Sequence, residues 1–150
     1  MHITIAIGTD HRGYDYKNIL ISCTELSGHT IEWIDVGCMN PERCDYPAFA
    51  YKVVQHIKTE AADFGILLCG SGIGMSIAAN RFAGIYAGLV WNQEVAVQCR
   101  ADDSCNVLVI PADYLTADQL ISMVSAWLKT TPKEGRYRAR IEQIDSWGGL

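Results

Sequence analysis

The segment Cys69-Gly70-Ser71-Gly72-Ile73-Gly74 brings a thiol, a hydroxyl and three glycines together within six residues. Glycine lets a backbone turn sharply and lets a ligand approach its amides, and the free N–H groups where a helix begins favour negative charge. A thiol closing an apolar run beside such a helix start sits where the local dipole favours its thiolate, the setting of a cysteine base or nucleophile. The competing reading of the same residues is a plain tight turn next to an inert buried cysteine. Two familiar glycine motifs fit poorly. A P-loop would end in Gly-Lys-Ser/Thr, whereas this turn continues Gly74-Met75-Ser76. The dinucleotide fingerprint would need glycine at position 75, and no acidic residue closes the next apolar run, Ile85 to Trp91, to hold a ribose.

Asp10 and His11 follow the first apolar run of the chain. A histidine at such a strand end can bind phosphate or relay protons, and it can equally be a hydrogen-bonded surface group. Arg136 and Arg140 lie four residues apart and share a helix face, where two guanidinium groups could grip one phosphate or simply form a solvated basic face.

The elements that must position these groups alternate along the chain. His2 to Gly8, Thr30 to Val36, Phe64 to Cys69, Ile85 to Val90 and Val107 to Ile110 read as five strands. Helices are expected over Tyr14 to Leu26, Pro47 to Lys58, Ile73 to Asn80, Gln93 to Arg100 and Thr116 to Lys129. Four of the strands are nearly unbroken apolar runs, so the natural packing is a five-stranded parallel sheet flanked by helices; Glu32 and Asp35 interrupt the second strand and put it nearer an edge. In such sheets ligands bind beyond the carboxyl ends of the strands, which singles out Thr9 to Arg12, Cys69 to Gly74 and the segment after Val90.

At 150 residues the chain has the size of one domain, 1–150. A charged helical tail, 133–150, is expected to dock on the domain or on a partner subunit. The net charge of -5 offers no broad positive field for nucleic acid, so an anionic ligand must be small and meet a local cation cluster. No apolar run approaches a membrane span and the first residues carry no basic leader, so a cytoplasmic protein is expected. The six cysteines form no Cys-x-x-Cys pair and no histidine completes a zinc site, so reduced thiols and no metal are expected.

Gly8-Thr9-Asp10-His11, Asp45-Tyr46-Pro47, the block Cys69 to Asn80, and Gly135-Arg136-Tyr137-Arg138-Ala139-Arg140 together resemble the ribose-5-phosphate isomerase B family, which includes the subunits of galactose-6-phosphate isomerase. The likeness runs nearly end to end. It implies a Rossmann-like domain working as a homodimer or homotetramer, with active sites shared between subunits, a small sugar-phosphate substrate and no metal or organic cofactor. By position, Cys69 would move a proton between C1 and C2 of the sugar while the amides of Gly70, Gly72 and Gly74 hold the enediolate oxygen. Ser71 would shuttle hydroxyl protons, Asp10 and Tyr46 would orient the substrate, and His11, Arg136 and Arg140 would bind its phosphate.

Two departures bear on the substrate. Relatives acting on ribose 5-phosphate usually carry His-Asn where this chain has Asp102-Asp103, the histidine opening the sugar ring. Many also carry Gly-x-Arg, with a phosphate-holding arginine, where this chain has Pro111-Ala112-Asp113. Three explanations follow: Asp102, with Asp103 beside it, takes over ring opening; the substrate is another sugar phosphate (a tetrose, allose or galactose phosphate), a tetrose phosphate needing no ring opening; or the chain is a non-catalytic sugar-phosphate-binding subunit. Retention of Cys69 weighs against the last.

Overall fold

A strand covered on both faces sends successive apolar side chains alternately into two cores. The computed structural model, which describes residues 1–149, is built around strands of that kind. In chain order they are β1 (His2–Thr9), β2 (Glu25–Leu26), β3 (His29–Asp35), β4 (Phe64–Cys69), β5 (Ala87–Leu89) and β6 (Val107–Pro111). The helices are α1 (Tyr14–Ile21), α2 (Tyr46–Lys58), α3 (Ile73–Ala79), α4 (Gln93–Asp103), α5 (Ala117–Lys129) and α6 (Arg136–Asp145), with short 3-10 turns at His11–Gly13 and Ala112–Tyr114. Ile5, Ile7, Ile66, Leu68, Leu108 and Ile110 pack with Leu20, Leu120, Met123 and Trp127 of α1 and α5. Ala6, Leu67, Cys69, Val107 and Val109 face the other way, against Ala50, Val53, Val54 and Met75 of α2 and α3. Strand parity therefore fixes which layer the Cys69 thiol enters.

The sheet order is β2-β3-β1-β4-β6-β5. From β1 the chain pairs first with β3 on one side and then with β4 on the other, all parallel. The connections thus leave β1 in opposite directions and open a crevice at the carboxyl ends of β1 and β4, the usual binding place in such folds. Thr9 pairs with Leu68 there, which puts Asp10 and Cys69 at the same crevice.

The parallel α/β domain matches the sequence reading, with one strand more. The expected helix Tyr14–Leu26 stops at Ile21, and Glu25–Leu26 instead pairs antiparallel with His29 and Thr30. Ser27 and Gly28, both at positive φ (58° and 80°), form the two-residue turn that suits a tight hairpin. Strand β3, expected near an edge, is second from it, covered by this short hairpin partner. The run Ile85–Val90 yields only three strand residues at the opposite edge, while α4 continues three residues past Arg100 and carries Asp102 and Asp103. The tail forms α6, anchored by buried Ile141 and by Tyr86 Oη donating to Asp145 at 2.6 Å; Leu150 lies outside the described residues.

Lys17 is the buried cation that this packing requires and that helix periodicity did not single out. Only 1% exposed, it donates to both Asp35 oxygens at 2.8 and 3.0 Å and to the Cys38 carbonyl at 2.7 Å. It ties α1 to the loop that leads from β3 towards the crevice. Removing one partner of a buried pair leaves the other uncompensated. Lys17→Met should therefore lower the unfolding free energy in urea by about 3 kcal/mol. A loss below about 1 kcal/mol would mean that Asp35, at 29% side-chain exposure, is satisfied by solvent.

Candidate active site

Cys69 is the last residue of β4 and is 5% exposed. The amide of Gly72 donates to its Sγ at 3.1 Å. A hydrogen bond donated to sulfur is stronger the more negative charge the sulfur carries. The approach is possible because Gly72 adopts φ 74°, a left-handed conformation that L side chains rarely adopt, and caps α3 from there. The first-turn amides of α3 have no intrahelical acceptor. Ser71 is exposed above the turn, its Oγ accepting from the Ile73 amide at 3.3 Å.

Around this turn the structure gathers Asp10, His11 and Tyr46. Asp10 is buried, and its Oδ1 accepts from the Arg12 amide at 2.9 Å, which fixes the bend after β1. His11 accepts from the Cys44 amide on Nδ1 at 3.4 Å. Tyr46 opens α2 and lays its ring on Gly74, where an added Cβ would come within 2.8 Å of Cε1 and Cε2. Cys44 is also close, but burial and its hydrogen bond to Cys38, Sγ to Sγ at 2.9 Å, push its pKa up to about 11. Cys105 is pushed further above the usual range by its hydrogen bond with Cys99 and by burial. Near neutral pH these two thiols stay protonated, unsuited to act as bases.

The remaining sequence candidates assemble elsewhere. Strand β6 begins at Val107 beside Gly65 and ends at Pro111 beside Cys69, so its two ends are about 13 Å apart at 3.3 Å per residue. Helix α4 runs back along the sheet, so Asp102 and exposed Asp103 lie at the starting end of β6, away from Cys69. Lys133 Nζ donates to Asp102 Oδ1 at 2.6 Å, which raises the lysine's pKa, and the Lys133 amide reaches the Ala101 carbonyl at 2.8 Å. Arg136, Arg140 and Lys133 then crowd the Tyr137 ring, at 5.0, 5.7 and 4.7 Å from its centroid. Arg136 also donates to the Tyr137 hydroxyl at 3.0 Å, and this bond with the neighbouring positive charges lowers the tyrosine's pKa. Three exposed cations around one ring make this face locally positive. One chain therefore keeps two groups of candidate residues apart: a thiol with its neighbouring amides, and a cationic face.

Arg12 and Asp113 escaped the sequence reading as a pair. Arg12 binds Asp113 through Nε at 3.3 Å and, more closely, through Nη2, directly over Gly70. The two residues stand 101 positions apart, so only the sheet order reveals the pairing. Two recesses of about 570 and 540 Å³ flank α6, lined by Asn80, Ile85, Tyr86 and Ile144 among others, and neither includes the Cys69 turn. Among the described residues no three His, Cys, Asp or Glu side chains come together to hold a metal ion, and no helix is long and apolar enough to cross a membrane.

The fold and candidate site define a mostly parallel, doubly wound α/β domain with a buried thiol at its switch point, a glycine turn beside it and a separate arginine-rich face. Residues 5–144 match the family described as Ribose/Galactose Isomerase, and the chain belongs to that family. Ribose-5-phosphate isomerase B of Escherichia coli is 36% identical over 140 residues, 93% of each chain. Ribose-5-P isomerase B of Listeria innocua is 34% identical over 141 residues, 94% of each. The crystal structure of ribose 5-phosphate isomerase from Thermotoga maritima superposes with a TM-score of 0.90 at 40% identity, covering 97% of this chain and 99% of its own. Ribose-5-phosphate isomerase B of Mycoplasma genitalium, solved with bound ribulose-5-phosphate, gives 0.87 at 32% identity, covering 96% and 95%.

Because Tyr46 fills the space over Gly74, Gly74→Ala should force the ring off the turn. The expected cost is about 1–3 kcal/mol in urea unfolding, the usual penalty for overpacking. An unchanged midpoint would show that Tyr46 moves aside freely.

Proposed function

We propose that this chain interconverts ribose 5-phosphate and ribulose 5-phosphate through an enediolate, without a metal or organic cofactor, with Cys69 Sγ as the base. The single observation that carries the reading is the Gly72 amide aimed at the Cys69 sulfur, in the crevice where Asp10, His11 and Tyr46 converge. The related proteins named for this reaction, one solved with ribulose-5-phosphate, support the substrate pair. The thiolate takes the proton from C2 of the open-chain aldose, and the electron pair moves into the C1–C2 bond as the carbonyl oxygen becomes the enediolate oxyanion. Amides of the Gly70 to Gly74 turn hold that charge. The same thiol returns the proton to C1 while Ser71 carries a proton between the hydroxyl oxygens, and the ketose leaves with every atom accounted for. Asp10 and Tyr46 orient the sugar, and His11 holds its phosphate.

Arg136 and Arg140 complete the phosphate site from a second copy of the chain, and Asp102 and Asp103 approach the sugar from that copy too. The separation of the two half-sites within one chain supports this sharing, as do the exposed apolar side chains Ile73 and Ile77 on one face of α3 and Trp91 beside β5. A homodimer, or a tetramer made of two such dimers, would follow.

A second reading is favoured by one observation. Asp102 is already engaged by Lys133 at 2.6 Å, which argues for a substrate that arrives open, such as a tetrose phosphate. Competition between ribose and erythrose phosphates distinguishes the two readings by their kcat/KM.

Cys69→Ala should lower turnover of ribose 5-phosphate by about 10²- to 10⁴-fold, the usual worth of a placed acid-base group, while calorimetric binding persists. Wild-type levels of turnover in that variant would overturn the role of the thiol. Refolding Cys69→Ala together with Arg136→Ala should restore about a quarter of wild-type activity, because half of random dimers are mixed and each mixed dimer carries one intact site. No recovery would contradict a shared site.

A further inference from the structure

We propose that Arg12, clamped by Asp113, is a substrate-contacting residue that binds the phosphate of the sugar phosphate, and that Asp113 is the positioning residue that sets how strongly it does so. This rests on the isomerase reading and extends it to residues that reading does not use. Four observations place the pair at the site. The Arg12 amide is held by Asp10, so the backbone leading to the guanidinium is fixed to the crevice. The Asp113 amide donates to the Gly70 carbonyl at 3.1 Å, fixing the carboxylate to the Cys69 turn. A Cβ added at Gly70 would meet Arg12 Nε at 2.7 Å and Asp113 Oδ2 at 2.8 Å, so the pair lies against the turn itself. Arg12 also follows His11 directly and is 55% exposed, with the carboxylate partner at 34%.

A guanidinium has five N–H donors, and Asp113 engages two of its nitrogens, Nε and Nη2. Nη1 carries two donors that this pairing leaves uncommitted, on a half-exposed group in a fixed orientation. Phosphate oxygens suit such a fork, and a bound guanidinium loses less freedom than a free one. The carboxylate has the opposite effect on affinity. It offsets the arginine's charge at short range, so the subsite offers directed hydrogen bonds with little net attraction for a dianion. Binding and weakening thus reside in one pair, and its two members have opposite predicted signs.

That opposition supplies the test. Calorimetric Kd values for ribose 5-phosphate and for inorganic phosphate would be measured with wild type, Arg12→Gln and Asp113→Asn, each checked for folding by circular dichroism, alongside kcat and KM. Arg12→Gln should weaken both ligands at least tenfold and raise KM with kcat changed less than threefold. Asp113→Asn, which keeps the shape but removes the charge, should tighten both ligands severalfold. A merely structural clamp would move both variants in the same direction. Unchanged Kd in Arg12→Gln, or weakened binding in Asp113→Asn, would overturn the inference. Wild-type protein that binds ribose 5-phosphate without isomerising it would sink the isomerase reading alone, because the calorimetric comparison still reads Arg12. Wild-type protein that binds neither ligand would overturn both.

Discussion

Three glycines in the turn after β4 and the first turn of α3 each lie against a different part of the molecule, where an added Cβ would make a neighbour shift. Gly70 lies under the Arg12–Asp113 pair, Gly72 against Leu89, and Gly74 under the Tyr46 ring. The turn is where the segment after β1, the edge strand, the 3-10 turn after β6 and the start of α2 all meet. Close approach of backbone is the constraint, and glycine is the residue that satisfies it. The same closeness lets the Gly72 amide reach the Cys69 sulfur, so packing and chemistry depend on one geometric condition.

Charge is organised as strictly as packing. The thiol turn has buried Asp10 near it and the Arg12–Asp113 pair over it, so it offers little net positive charge of its own. The cationic half, built on Lys133, Arg136 and Arg140 around Tyr137, lies at the other end of the sheet. Helix α4 spans the distance between them and α6 packs against its end. In the proposed dimer a second copy would supply the missing charge to the thiol and cover the exposed α3 side chains Ile73 and Ile77.

Much of this was legible in the sequence because strand and turn signals are local. The apolar runs located five strands, and the glycine-rich segment with its cysteine marked the crevice before any pairing was known. The hairpin Glu25–Leu26 was lost because a two-residue strand carries no periodicity, although Ser27-Gly28 is a turn dipeptide. The buried Lys17–Asp35 pair and the Arg12–Asp113 pair were invisible for a different reason. Each joins residues brought together by the order of strands, which local pattern does not encode. Asp102 illustrates the limit most clearly: expected beyond a helix ending at Arg100, it lies in the last turn of α4, and its attachment to Lys133 required the fold.

The proton path at Cys69 is tested most directly by turning over ribose 5-phosphate in heavy water and following the sugar by NMR. Transfer through an enediolate with a thiol base predicts that solvent deuterium enters C1 of ribulose 5-phosphate and C2 of ribose 5-phosphate over repeated turnover, because the sulfur-bound proton exchanges with solvent. Complete retention of the original hydrogen through many turnovers would indicate direct hydride movement between the two carbons and would contradict a base at Cys69.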